Sequence, residues 1–354
     1  MTVGYSLGNR IDLENDVQMM LEDESNVVTF SYAVSVALSH ACRNRCPYCS
    51  FRKEDTLAVP YSTIKSTKLA RSKGVREASY VAGERPDKYS NVRSVLDLWG
   101  FSSYLDYMYT VCELGFLEGL IPVIEVGFLS PLEMKKMSEI VAVNRIMLDS
   151  VDSGRFDTVY PLSPGKKLAF RLKQLEWAGR LNFPTSTGIM IGIGESMSHR
   201  KQLLKHIAEI HTRYGTIHDV QLTPLYPQPG TLFAKHDVPS KKNILDTIEQ
   251  AKSILPADIT LVMPVYTEED AKTYLEAGIR DFGRLFIGKD QSLKLPTLSI
   301  DRLDEIVASQ ELKLIQRFPL KKSFIKNGLY SKKLGQVFDA YRYKIKKDTQ
   351  EKPK

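Results

Sequence analysis

The sequence predicts an α/β fold, a barrel or partial barrel assembled from parallel βα units. Two observations carry that reading. Short apolar runs alternate with longer amphipathic segments along most of the 354 residues. Gly-rich or polar stretches follow several of the apolar runs, where the C-terminal loops of a barrel build its site. A chain of this length suits one large domain, and 43% hydrophobic with 26% charged residues marks it as ordinary globular protein.

The strands are expected at 35–40, 77–83, 121–127, 144–150, 185–194, 219–225 and 258–264, each a short apolar run. Helices are expected between them, at 60–73, 101–118, 130–139, 166–179, 197–213, 240–254 and 267–276. Residues 1–28 form an N-terminal extension, 29–296 the barrel, and 297–354 a C-terminal helical extension with no strand signal.

No run approaches the ~18 apolar residues of a membrane helix, and the N-terminus "MTVGYSLGNRIDLENDVQMM" lacks a basic region followed by an apolar core. The expectation is a cytoplasmic protein with no membrane partner. The net charge of +7 is concentrated at the C-terminus: from Lys321 onward there are eleven basic and three acidic residues. That tail reads as a solvated terminus, which argues against nucleic acid as a partner.

Three of the four cysteines, Cys42, Cys46 and Cys49, lie in "CRNRCPYCSF" just after the first strand, spaced C-x3-C-x2-C. The fourth, Cys112, falls in a helical pattern and reads as a core residue. So few cysteines make a poor disulfide framework, and tight spacing points to metal or catalysis. A zinc ion wants four ligands, and His40 is available as the fourth. Three thiolates on one loop also suit a cubane [4Fe-4S] cluster with one iron left open.

That spacing, with Tyr48 before the last cysteine, resembles the signature of radical S-adenosylmethionine enzymes. In those enzymes the open iron takes the amino and carboxylate groups of S-adenosylmethionine, and a 5′-deoxyadenosyl radical abstracts hydrogen from a substrate. The cofactor needs partners elsewhere. "GERP", after the second strand, supplies Gly83 and Glu84, an acceptor for the ammonium. Asp149 suits a ribose diol and Arg171 a methionine carboxylate. Gly192 and Ile193, in "TGIMIGIGES", suit close approach by adenine.

Within that superfamily the chain resembles the CofG family, the deazaflavin FO synthase subunits of coenzyme F-420 biosynthesis. The likeness runs from about residue 29 to 285, through "CRNRCPYCSFRK", "GERP", "YLDYMYTVCELGFLEGLIP", "SPGKKLAFRLKQLEWAGRLNFPTSTGIMIGIGES", "HTRYGTIHDVQL", "QPGT" and "EAGIRDFG". The resemblance implies a partial (β/α)6 barrel holding a [4Fe-4S] cluster and S-adenosylmethionine. It implies a CofH-type partner enzyme that joins a tyrosine-derived fragment to 5-amino-6-(D-ribitylamino)uracil, and an external one-electron reductant. The implied reaction is radical ring closure of that adduct with loss of ammonia, giving the 5-deazaflavin chromophore.

Several strand ends depart from the family pattern. "VIEV" (Val123 to Val126) replaces His-Thr-Asn-Pro, Thr223 and Pro224 replace Gln-Asn, "MPVY" (Met263 to Tyr266) replaces Pro-Pro-Asn-Leu, and "DFGRLFIGK" (Asp281 to Lys289) replaces Asp-Trp-Gly-Gly and its trailing Ser-Pro. Glu125, Tyr266, Asp281, Arg284 and Lys289 are therefore the expected substrate residues, either of a divergent CofG or of a relative acting on a different small molecule.

Overall fold

The computed structural model describes residues 26–53, 57–288 and 298–351. Among them, nine parallel strands form one sheet: β1 (Val27–Ser39), β2 (Glu77–Ala82), β3 (Ile121–Glu125), β4 (Val143–Met147), β5 (Thr185–Ile191), β6 (Ile217–Pro224), β7 (Thr260–Val262), β8 (Asp281–Phe286) and β9 (Lys313–Arg317). The sheet runs β7-β6-β5-β4-β3-β2-β1-β8, with β9 also pairing β1. Its two ends approach each other, the Met263 N–H donating to the Asp281 carbonyl at 3.1 Å. The sheet is thus a nearly closed α/β barrel.

Local chemistry sets the helix boundaries. Ser130 and Glu133 form a capping box at the start of the helix Pro131–Met137, and Thr267 with Asp270 does the same for Glu268–Glu276. Pro60 and Pro131 open their helices at the first turn, where a missing N–H costs nothing. Gly215, with φ of 65°, ends Met197–Tyr214 in the left-handed conformation. These helices pack apolar stripes on the outside of the barrel: Tyr107, Met108, Val111 and Cys112 from Tyr104–Leu117, and Leu203, Leu204 and Ile207 from Met197–Tyr214, are buried at helical spacing. Each such Leu, Ile, Val or Met side chain contributes roughly 1.5–3 kcal/mol on burial.

The seven expected strands and seven expected helices are present, but three features differ. β1 is longer than expected and begins at Val27, because alternate residues in 27–34 face a polar barrel interior and mask its apolar character. β8 carries Asp281 and Arg284, charged residues that also interrupt an apolar run. β9 lies inside the segment expected to be wholly helical; four of its five residues are half-buried and none fully buried, so its period is faint. The N-terminal extension up to residue 25 and Lys289 lie outside the described residues.

The bottom of the barrel, at the strand N-termini, is filled by a polar network. Asp281 takes hydrogen bonds from Thr29 Oγ1 at 2.7 Å and Arg317 Nε at 2.5 Å, and it caps the Gly283 N–H at 2.7 Å. This corrects one expectation: Asp281 starts β8, opposite the mouth of the barrel, and is a structural carboxylate rather than a substrate residue. Nearby, His218 Nε2 accepts from the Lys321 N–H at 2.8 Å, which leaves the Nδ1 proton to bond Asp219 at 2.7 Å.

Candidate active site

A cavity of about 280 Å³ opens at the C-terminal ends of the strands. Its outer half is lined by Cys42, Cys46 and Cys49 with Glu84, Asp149, Lys166 and Arg171; its inner half by Glu125, Arg145, Gln221, Thr223 and Arg284, with Tyr266 added from the loop after β7. The strand period explains why. Arg145, Met147 and Asp149 stand two apart along β4 and just past it, so all three face the same space.

The cysteine loop follows β1 and is pinned on several sides. Tyr89 Oη donates to the Cys42 carbonyl at 2.8 Å, the Arg45 N–H reaches the Leu162 carbonyl at 3.0 Å, and Phe233 N–H reaches the Pro47 carbonyl at 3.0 Å. Asn44 Oδ1 accepts from the Gly165 N–H at 2.9 Å. Burial pushes the Cys42 and Cys49 thiols up, with Cys46 adding to both shifts, so three thiols share a confined region. Cys112 sits apart in the helical layer, fully buried, as expected.

Among the described residues, no three His, Cys, Asp or Glu side chains converge tightly enough to hold a single metal ion. His40 turns away from the thiols: its Nδ1 lies 2.8 Å from the Phe51 carbonyl, and its ring packs on the Phe51 ring with centroids 4.5 Å apart. A cubane cluster spreads its thiolates over separate irons, and three thiols on one loop suit it.

Glu84 is the hub of the outer half. Arg171 Nη2 donates to its Oε2 at 2.6 Å and Arg43 Nε to its Oε1 at 2.8 Å, while the Glu84 N–H points at Cys42 Sγ at 3.1 Å. Burial alone would raise this carboxyl, but Arg171 and Arg43 outweigh it and hold Glu84 below the usual carboxylate range. Two glycines make the packing possible: a Cβ on Gly83 would collide with the Ala41 carbonyl oxygen, and one on Gly165 would collide with Glu84 Oε1.

Asp149 accepts from Lys166 Nζ at 2.9 Å, and its carbonyl accepts from Tyr160 Oη at 2.8 Å. Tyr160 in turn bonds Tyr48 Oη at 3.2 Å, with the Lys166 ammonium 5.7 Å above the Tyr48 ring. Two buried polar atoms here lack partners, Arg171 Nε and Asp149 Oδ1. A donor and an acceptor left unpaired in a cavity wall fit a ligand that brings a carboxylate and hydroxyl groups. Three thiols, a charged hub and these two orphaned atoms suit a [4Fe-4S] cluster with S-adenosylmethionine.

Of the residues expected to hold the cofactor, Cys42, Cys46, Cys49, Tyr48, Gly83, Glu84, Asp149 and Arg171 all line this cavity. Gly192 and Ile193 are not among its lining residues; both N–H groups donate to the Glu195 carboxylate at 2.8 Å, and the Ile193 side chain is buried with Val151, Tyr160 and Leu225. Of the expected substrate residues, Glu125, Tyr266 and Arg284 line this cavity.

Sequence reasoning missed Lys166, Arg43, Arg145 and Gln221. Arg145 carried a signal, a charge at mid-strand in the apolar run "NRIML"; Lys166 carried none beyond its place in a turn. Arg145 Nε and Arg284 Nη2 both donate to Glu125 Oε2, at 3.2 and 3.0 Å. Arg145 also reaches Gln221 Oε1 at 2.7 Å, and Gln221 Nε2 donates to Thr223 at 2.8 Å.

Residues 36–207 match the Radical SAM superfamily. The chain is 33% identical over 304 residues to the 7,8-didemethyl-8-hydroxy-5-deazariboflavin synthase of Methanothermobacter thermautotrophicus, covering 84% of this chain and 93% of that protein. It is 30% identical over 322 residues to the enzyme of the same name from Archaeoglobus fulgidus, covering 89% and 97%. Two solved structures share the fold. The hydrogenase maturase HydG aligns with a TM-score of 0.71 at 12% identity, over 93% of this chain and 73% of that one. Methylornithine synthase aligns at 0.60 and 14%, over 85% and 88%. Members of the superfamily use a [4Fe-4S] cluster and S-adenosylmethionine. With its cysteine loop, Glu84 hub and nearly closed barrel, the chain belongs to the radical S-adenosylmethionine enzymes and, among them, to the 7,8-didemethyl-8-hydroxy-5-deazariboflavin synthase family.

Proposed function

We propose that this enzyme closes the 5-deazaflavin ring, acting on the adduct of 5-amino-6-(D-ribitylamino)uracil and a tyrosine-derived fragment and releasing ammonia. The observation that carries the reading is a cavity lined both by the three cysteines and by Glu125, Arg145 and Arg284, which supports a radical source and a substrate seat sharing one space. The family relationship supplies the chemical identity. A CofH-type partner supplies the adduct and an external carrier supplies one electron at a time.

When bound, the cluster and S-adenosylmethionine supply a 5′-deoxyadenosyl radical. Cys42, Cys46 and Cys49 would hold the cluster. Glu84, fixed by Arg43 and Arg171, offers a rigid carboxylate to an ammonium, and Arg171 Nε is placed for a carboxylate. Lys166 orients Asp149, whose second oxygen is left to accept from hydroxyl groups. Val81, Met147, Met190, Leu285 and Phe286 wall the space between the two halves with apolar surface. They exclude water that would divert a carbon radical. The test is restoration of deazaflavin production in a host lacking its own CofG-type gene. Failure there, with the protein folded and cluster-loaded, would rule the assignment out.

A further inference from the structure

We infer that Arg145, Glu125 and Arg284 form a subsite that reads the imide edge of a planar ring, the succession carbonyl, N–H, carbonyl. The three side chains come from β4, β3 and β8 and converge across the barrel on one carboxylate. Both guanidinium groups bind Glu125 Oε2, and no described residue donates to Oε1, on a side chain that keeps 35% of its surface exposed in the cavity. A guanidinium only donates hydrogen bonds and a carboxylate only accepts them. The cluster therefore presents donor, acceptor, donor in an order that no side-chain flip can reverse. An imide presents the complement. A carboxylate ligand would set a second acceptor against the Glu125 acceptor, and a primary amide would satisfy two of the three positions.

The supports are rigid. Arg145 is only 6% exposed and is tied to Gln221, itself tied to Thr223. Arg284 is braced by Ser79 from β2 and lies 5.3 Å from the Phe286 ring centroid. Val81, Met147 and Leu285 give the cavity flat apolar walls suited to a ring.

The identity of the ring rests on the deazaflavin reading proposed above, whereas the imide preference rests on the three side chains. The test titrates the cluster-loaded enzyme, with S-adenosylmethionine present, with two fluorescent probes: the deazaflavin product and its N3-methyl derivative. The unmethylated ring should bind at least about tenfold more tightly, because methylation leaves the Glu125 acceptor unpaired. Glu125→Ala should bring the two affinities together while iron content stays constant. Equal affinities in the wild type, or no saturable binding of either probe, would overturn the subsite without needing any variant. Ring closure is assayed in parallel. Discrimination without deazaflavin formation keeps the subsite and removes the proposed reaction; formation without discrimination does the reverse.

Discussion

Arg171 and Glu84 form a buried ion pair at 2.6 Å, with side chains 6% and 2% exposed, joining the helix Leu168–Arg180 to the loop after β2 directly beside Cys42. A buried pair is stabilising only while both members remain, because losing one strands the other's charge. Arg171→Met should therefore lower unfolding stability by on the order of 3 kcal/mol, with Arg43 limiting the loss. Thermal denaturation of wild type and variant checks this, and an unchanged midpoint would show that the pair adds no stability.

Glu84→Ala should weaken S-adenosylmethionine binding while leaving the iron content of reconstituted protein intact. Isothermal titration alongside iron analysis separates the two effects. Loss of iron as well would mean that Glu84 shapes the cysteine loop more than it serves the cofactor.

Replacing Cys42, Cys46 or Cys49 by Ala should abolish the cluster absorbance, whereas Cys112→Ala should leave iron content unchanged and cost about 1–2 kcal/mol as a core truncation. Ultraviolet–visible spectra of anaerobically reconstituted variants decide both halves.

Stability should fall on mild acidification. Burial depresses the pKa of His218, which stays neutral while it bridges Asp219 and the Lys321 N–H. The unfolded chain therefore binds more protons than the native one once pH drops below about 6.5, the ordinary histidine value. Burial would raise Asp219, but His218, Arg145 and Arg317 outweigh it and hold it well below the carboxylate range, so its contribution is present above about pH 4 and lost below. Both contributions have the same sign. The melting temperature should be flat from pH 8 to 7 and fall from 6.5 towards 5, and His218→Gln should shrink that fall. A variant as acid-sensitive as wild type would show that other groups carry it.

The parts legible in the sequence were those governed by local pattern. Alternating apolar runs located β2 to β7, and ligand spacing located the thiols. The placement of Glu84, Asp149 and Arg171 around one cavity was legible because each ends or faces a predicted element beside the cysteine loop. What was illegible depends on partners far away in sequence. Asp281 looks like a mouth residue until Arg317, 36 positions later, is seen to hold it at the barrel floor. β9 is a strand only because β1 offers it an edge. Arg145 is tolerated in an apolar strand because Glu125 and Gln221 meet it there. Gly192 and Ile193 matched a close-approach pattern, but Glu195 a few residues on takes both N–H groups.

Asp281 should matter for stability and not for the chemistry at the barrel mouth. Asp281→Asn should lower the melting temperature by weakening the Arg317 and Thr29 bonds, yet leave S-adenosylmethionine cleavage intact, since the residue lies at the far end of the barrel. Cleavage lost in a protein that still folds would return Asp281 to the site.

The proposed ring closure is decided by an anaerobic reaction containing the reconstituted enzyme, a reductant, S-adenosylmethionine, and a CofH-type partner with tyrosine and 5-amino-6-(D-ribitylamino)uracil, read by mass spectrometry. The expected products are 5′-deoxyadenosine together with 7,8-didemethyl-8-hydroxy-5-deazariboflavin, both absent without the enzyme. Formation of 5′-deoxyadenosine with no deazaflavin would contradict the assignment.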